Sequence, residues 1–418
     1  MRTLLRSGCL AALAVALLGT ALSRPAAAAD APGADPKEVK ELVSKGIAYL
    51  RKTQSPDGSW SAKRAGPGIT ALVIAALLRN GVSPDDPMAA KGIAYLEKNV
   101  KKDGGIYDRG LANYTTSVAL LAFTEANKDG KYDTLIQNAT RFLKGLQQGG
   151  DEANVRYGGV GYDKTSRPDL SNTQFFLDSL LAAGVPKDDP AVQKALKFIS
   201  RCQNLPSEVQ NQPFAKKASA DDKGGFTYVP LDTDDNPHRT PDGGLRSLGG
   251  MTYAGLKSFL YAGVTKDDPR VQGAINWIRR HYTLDENPGM KQAGLYYYYH
   301  TFAKAMTALG EDPFADAKGI THDWRKDLVA ALKRRQREDG SWVNDKRTPS
   351  ARATRTWPPP SPSCRRAIAN RRGSDVTGQT AGLKPAARPC LRAAVAMERA
   401  RPTGSPGIAG PPARTPRL

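Results

Sequence analysis

One seven-residue phrase occurs three times and narrows the possible folds more than any bulk property of the chain. Gly81-Val82-Ser83-Pro84-Asp85-Asp86-Pro87 recurs as Gly184-Val185-Pro186-Lys187-Asp188-Asp189-Pro190 and as Gly263-Val264-Thr265-Lys266-Asp267-Asp268-Pro269. Each copy follows one apolar run and precedes another. Its parts suit a helix-to-helix joint: glycine takes the left-handed position after the departing helix. Aspartate caps the arriving helix, and proline fits its first turn, where no amide donor is needed. A phrase repeated at this interval marks an array of helical hairpins.

Two kinds of helix alternate between the joints. Thr70, Thr116, Thr173, Thr252 and Thr301 each open an apolar run, and six residues later stand the small side chains Ala76, Ala122, Ser179, Ser258 and Thr307. These runs are apolar over most of their circumference, as expected of helices buried on several sides. Their partners are amphipathic: Ile93 and Leu96, Leu196 and Ile199, and Ile275 and Ile278 set one apolar stripe against a neighbour. Hairpins are expected at about 36–81, 88–127, 133–184, 190–263 and 269–309, with a sixth outer helix at about 321–336. Such units bury their surfaces by closing inner and outer helices into a ring. The expected class is all-α, an α/α toroid of the six-hairpin type that lacks its last inner helix. Asp151–Ser171 and Leu205–Gly250 are the longest interruptions, and loops of that length are often functional.

Gln54-Ser55-Pro56-Asp57-Gly58-Ser59-Trp60 and Gln336-Arg337-Glu338-Asp339-Gly340-Ser341-Trp342 share the pattern Gln-x-x-Asp-Gly-Ser-Trp. Degenerate copies are Asp103-Gly104-Gly105-Ile106-Tyr107, Gly158-Gly159-Val160-Gly161-Tyr162 and Gly224-Gly225-Phe226. The pattern resembles the QW repeat of the squalene cyclase and prenyltransferase family and spans about residues 38–342. Physically, glutamine bonds backbone groups left open at a helix end, glycine permits the turn, and tryptophan seals the joint. These residues brace a ring, and a fold does not decide a chemistry.

The two ends differ from the body. Arg2 and Arg6, the apolar run Leu10–Leu22 and Ala27-Ala28-Ala29 read as a secretory signal over 1–29. The mature chain is thus expected to be exported, periplasmic or secreted, without a transmembrane segment. From Arg347 onward the chain is rich in Arg, Pro, Ala and Ser without helical periodicity, and 347–418 is expected to be a disordered basic tail produced by a frameshift, with a native disordered basic arm as the competing reading. That tail holds 14 basic and 2 acidic residues, so most of the formal charge of +20 lies outside residues 30–346. A nucleic-acid partner therefore loses its main support. Of the four cysteines, only Cys202 falls within 30–346, so no internal disulfide is available there.

Two segments carry candidate chemistry. Asp232-Thr233-Asp234-Asp235 resembles the Asp-x-Asp-Asp motif by which squalene-hopene cyclases protonate a terminal alkene. On that resemblance Asp234 is the proton donor and Asp232 and Asp235 are its partners. In the family the motif opens an inner helix, whereas here Asn236–Gly250 separates it from the helix at Met251, so a solvated acidic loop is the competing reading. The second segment is Gly294-Leu295-Tyr296-Tyr297-Tyr298-Tyr299-His300-Thr301. It resembles the stretch of protein prenyltransferase β-subunits that supplies a zinc-binding histidine, but the Asp-x-Cys pair of that family has no counterpart here. No metal and no cofactor are expected. Tyr253, Tyr297, Tyr299 and His300 are candidate ligand-binding residues, since aromatic faces suit a cation or a polyene; core packing is the competing role.

Three functions fit these features. One is a terpenoid cyclase- or prenyltransferase-like protein holding an isoprenoid or other apolar small molecule in a central cavity, as a monomer. The second is a non-catalytic exported ring that binds a ligand or partner. The third is a carbohydrate-active enzyme on the same ring. Export weighs against the first, because polyprenyl diphosphates are made and used mainly inside the cell.

Overall fold

The computed structural model describes residues 33–60, 66–108, 110–231 and 236–344. The expectations for 1–29, for 347–418 and for Asp232, Asp234 and Asp235 lie outside the described residues. Within them the chain is helical: α1 (Pro36–Thr53), α2 (Pro67–Arg79), α3 (Pro87–Glu97), α4 (Ala112–Ala126), α5 (Asp133–Leu146), α6 (Leu170–Ala182), α7 (Pro190–Arg201), the short α8 (Pro213–Lys216), α9 (Gly249–Tyr261), α10 (Pro269–Arg280), α11 (Leu295–Leu309) and α12 (Trp324–Arg335). Two-residue strands β1 (Phe314–Ala315) and β2 (Thr321–His322) pair antiparallel, with Phe314 opposite His322. That pairing starts the sixth outer helix at Trp324 rather than at 321.

The repeated phrase forms the joint its residues require. Asp86, Asp189 and Asp268 cap α3, α7 and α10 by accepting from the N–H groups of Met88, Ala191 and Arg270. Gly81, Gly184 and Gly263 have φ of 81°, 80° and 86°. The valine that follows each donates its N–H back to Leu77, Leu180 or Phe259, at 2.9–3.1 Å. This six-to-one closure satisfies carbonyls at the end of the inner helix and packs an apolar residue over it.

The helices form an α/α toroid. Inner helices pack in chain order, α2 on α4, α4 on α6, α6 on α9 and α9 on α11, and each carries the following outer helix on its far side. In α2 every residue from Thr70 to Leu77 is buried, whereas α7 buries one stripe that includes Val192, Ala195, Leu196 and Ile199. Each large apolar side chain so buried contributes about 1.5–3 kcal/mol.

Four joints repeat one set of bonds. Gln54 Nε2 donates to the carbonyl of Gly58 and to that of Met88, on the next outer helix, both at 2.9 Å. Gln147 does the same for Gly158 and Ala191, and Gln203 for Gly224 and Arg270. Gln336 bonds Gly340 and, at 3.1 Å, the carbonyl of Leu42 on α1. The last joint therefore grips the first helix, and the outer layer closes. Glycine is required at the close approach: a Cβ on Gly158 would lie 1.9 Å from the Lys194 carbonyl oxygen, and one on Gly340 2.3 Å from that of Lys45.

The threonines that open the inner helices serve the same joints. Thr70, Thr116, Thr173 and Thr252 accept, through Oγ1, the backbone N–H of Trp60, Ile106, Val160 and Phe226 at 2.9–3.0 Å. Each joint is thus pinned to its inner helix as well as to the next outer one. Ser179, Ser258 and Thr307, six residues on, return their hydroxyls to carbonyls of the preceding turn at 2.8 Å.

Candidate functional site

Because every inner helix runs in the same direction along the ring, their N-termini share one mouth. Both long interruptions lead there. The Leu170 N–H donates to the Tyr228 carbonyl and the Asn113 N–H to the Tyr162 carbonyl, each at 2.9 Å, so the two loops and α4 and α6 are stitched at this rim.

Asp169 caps α6 at the mouth. One carboxyl oxygen accepts the Asn172 N–H and the other the Asn172 side-chain amide, each at 2.8 Å. Burial pushes Asp169 up to about 6, against the opposing pull of the Asn172 bonds, the Tyr228 hydroxyl and Arg167. Burial also raises the phenols of Tyr162 and Tyr228, which bond one another. The fold therefore binds the Asp169 proton more tightly than the unfolded chain does. Stability from this group is complete below its ordinary 3.8 and is lost as pH rises through about 6. Asparagine caps as well as aspartate and does not ionise. Asp169→Asn is expected to be more stable than the parent at about pH 7.5 by about 3 kcal/mol, and to approach it at about pH 4. Denaturant unfolding at the two pH values checks this, and equal differences at both would refute it.

Below the mouth lies an aromatic layer. Phe175 of α6 meets Tyr114 of α4 edge-on at 5.2 Å between centroids, Tyr297 of α11 at 6.3 Å and His300 of α11, nearly parallel, at 6.4 Å. Since α9 stands between α6 and α11 in the circle, the last two contacts cross the inside of the ring. Of the expected ligand residues, Tyr297 and His300 belong to this layer. Tyr253 and Tyr299 do not. Tyr253 packs on Tyr298 and Phe302 between α9 and α11, and Tyr299 donates its hydroxyl to the Leu284 carbonyl beneath Arg335 of α12. Four successive tyrosines on a helix point in different directions, so the run divides between the wall and the centre.

Deeper still, the ring holds charge. Asp178 of α6 accepts at Oδ2 from Lys257 Nζ of α9 at 2.5 Å and from Lys304 Nζ of α11 at 3.3 Å, and Lys257 also donates to Gln174 Oε1. The side chains of Asp178, Lys257 and Lys304 are 2%, 0% and 5% exposed, so water does not screen them. Burial alone would raise Asp178, but the two lysines outweigh it and hold the carboxyl below its usual value. Burial, with Arg79 and Lys257 adding to it, pushes Lys304 down to about 7 against the pull of Asp178. Burial and the same cations drive His300 well below its usual value, so its imidazole is neutral. A neutral ring beside two lysines is a poor place for a metal ion. The apolar wall expected for a central cavity is thus confined to the aromatic layer, with an ionic layer beneath it.

Sequence reasoning missed Asp169, Phe175, Asp178, Lys257 and Lys304. A signal existed for two of them: Asp178 and Lys257 each stand five residues after the threonine of an otherwise apolar helix. An ionisable residue inside a helix buried all round is held there by a partner.

Residues 63–219 match the family model for the squalene-hopene cyclase C-terminal domain, from the start of α2 to just beyond α8. A squalene–hopene cyclase of Bradyrhizobium diazoefficiens is 46% identical over 65 residues, 15% of this chain and 10% of that enzyme's length. A type II terpene cyclase of Scytonema, MstE, was solved with its substrate geranylgeranyl dihydroxybenzoate. It aligns at 14% identity and a TM-score of 0.38, over 80% of this chain and 70% of that one. Its complex with merosterolic acid A, the product, aligns at 14% and 0.37, over 80% and 72%. The family-model match lies between the two full Gln–Trp turns and includes the degenerate copies at 103–107 and 158–162.

Proposed function

We propose that this ring, similar in sequence to the squalene-hopene cyclases, is an exported protein that holds an apolar, isoprenoid-type molecule against its aromatic layer. The supporting observation is the meeting of Tyr114, Phe175, Tyr297 and His300, from three inner helices, across the inside of the ring. Such faces favour a polyene chain or a developing carbocation over a sugar, whose hydroxyls would need donors and acceptors there. Export rests on the basic, apolar and small-residue segments of 1–29.

A catalytic version of this reading is favoured by Asp169. The resemblance calls for a protonating aspartate at the start of an inner helix, and Asp169 holds that place with its carboxyl pushed up to about 6. A proton donor must be protonated at its working pH. Asp232, Asp234 and Asp235 remain the competing set.

The test incubates the purified full chain with squalene and with polyprenyl diphosphates, measuring binding by titration and products by mass spectrometry. Binding is expected, and Phe175→Ala should weaken it about tenfold, as for one lost aromatic contact. Turnover abolished by Asp169→Asn and kept by Asp234→Asn would assign the acid to Asp169; the converse would assign it to Asp234. Binding without turnover supports a carrier. Failure of every isoprenoid to bind removes the reading, and oligosaccharide cleavage would put a carbohydrate-active enzyme in its place.

A further inference from the structure

The ionic layer carries an imbalance that the apolar reading leaves unused. Two lysines share one aspartate, and Arg79, the nearby cation, is paired with Glu125 at 2.8 Å. The buried group therefore holds one surplus positive charge when both lysines are protonated. Its donors also outnumber its acceptors. Among the described residues Lys304 Nζ, with three N–H groups, makes one bond, at 3.3 Å, and Gln174 Nε2 and His300 Nδ1 (a donor in one of its two neutral tautomers), on residues 0% and 3% exposed, have no hydrogen-bond partner; against them stands one unpaired acceptor oxygen of the central carboxylate, Asp178 Oδ1. Buried donors without acceptors are costly, so convergent ones mark a place where a ligand's oxygens would be bound strongly.

We propose that Lys304, Lys257, Gln174 and His300 bind the carboxylate of an apolar carboxylic acid whose body lies against Phe175 and Tyr297. The inference rests on the proposed aromatic site and names the class of ligand it takes. The charge count selects the head group. One carboxylate cancels one surplus charge, whereas a phosphate dianion or a diphosphate would leave net negative charge in a place shielded from water. His300 and Lys304, four residues apart on α11, share one helix face, so the head and the start of the body would be held by successive turns.

Ligand binding is also coupled to a proton. Without an anion Lys304 falls to about 7, under burial and the nearby Arg79 and Lys257 and against Asp178. A carboxylate beside it restores the ammonium form. Arg79, paired with Glu125, also faces this layer; of the titratable groups there, His300 is held neutral by burial and the nearby cations, and burial pushes the Tyr261 phenol up, so neither changes charge near about pH 8.

The experiment titrates the full chain with straight-chain carboxylates from acetate upward and with the alcohols of matching length. Carboxylate affinity should rise with chain length and exceed that of the matching alcohol at least tenfold. At about pH 8, calorimetry in two buffers of different ionisation enthalpy should show uptake of about one proton. Lys304→Met leaves the neutral Asp178–Lys257 pair, so the variant should keep its fold and its alcohol binding, and lose both the carboxylate advantage and the proton uptake. Equal affinities for acid and alcohol, an unaffected Lys304→Met variant, or acetate binding that does not improve with length would each overturn the inference. Alcohols that bind with no advantage for acids would leave the apolar site standing, whereas no binding by either series, or by squalene, would remove both.

Discussion

Asp178→Ala is expected to lower the thermal midpoint by on the order of 10 °C. The substitution removes the one anion between Lys257 and Lys304, whose side chains are 0% and 5% exposed. Breaking a buried pair from one side costs about 3–5 kcal/mol, because the remaining charges keep their desolvation penalty and lose their partner. In a domain of this size each kcal/mol moves the midpoint by about 2–4 °C. Part of the loss is relieved by release of the Lys304 proton, which already leaves at about 7. Without Asp178 that proton leaves at still lower pH, so the Asp178→Ala defect should shrink as pH rises towards about 7 and stay constant above it. Replacing all three charges together, as Asp178→Leu with Lys257→Met and Lys304→Met, should bring stability back to within about 1 kcal/mol of the parent, since apolar isosteres often equal a buried ionic group. Scanning calorimetry of the single and triple variants decides it. An Asp178→Ala midpoint within about 2 °C of the parent would mean that the charges are not buried as described.

Trp342→Ala should cost about 3–5 kcal/mol, the usual range for truncating a buried tryptophan, and as much as Trp60→Ala. The two indoles are 0% and 1% exposed and make equivalent bonds at 2.9 Å, Trp342 to the Leu332 carbonyl and Trp60 to that of Leu50. Their joints differ in what they connect. Trp60 seals α1 to α3, neighbours along the chain, whereas the Trp342 joint returns to α1 through Gln336 and the Leu42 carbonyl. Equal costs in denaturant unfolding are the mark of an outer layer closed into a circle. A Trp342→Ala loss under about 1 kcal/mol, with Trp60→Ala at full cost, would show that the circle is open at that seam.

The joints were legible in the residues because their bonds are local. Gly81, Asp86 and Pro87 act within one turn of a helix end, so their types alone predict a cap and a reversal. The degenerate copies were harder. Gln147 stands 11 residues from Gly158, and Gln203 stands 21 from Gly224, so insertions hide a bond pattern that space preserves. The threonines were read as openers of apolar runs, but their register is set by a backbone N–H that each accepts from a joint 10 to 26 residues away.

The candidate site was legible only in part. Tyr297 and His300 were singled out from the chain, yet so were Tyr253 and Tyr299, and nothing local separates them. A helix turns each successive side chain by about 100°, so α11 sends Tyr297 and His300 to the ring centre and Tyr299 to the wall, where Tyr253 of α9 also packs. The sequence by itself determined helices, caps, joints and the alternation that makes a ring, since each depends on residues a few positions apart. Only the tertiary structure decided what the ring encloses. Lys257 and Lys304 stand 79 and 126 positions from Asp178 along the chain, yet both bond its carboxylate. A buried charge takes its character from whichever opposite charge the fold brings within about 3 Å, because Coulomb attraction in a poorly screened interior falls off with distance in space and takes no account of distance along the chain.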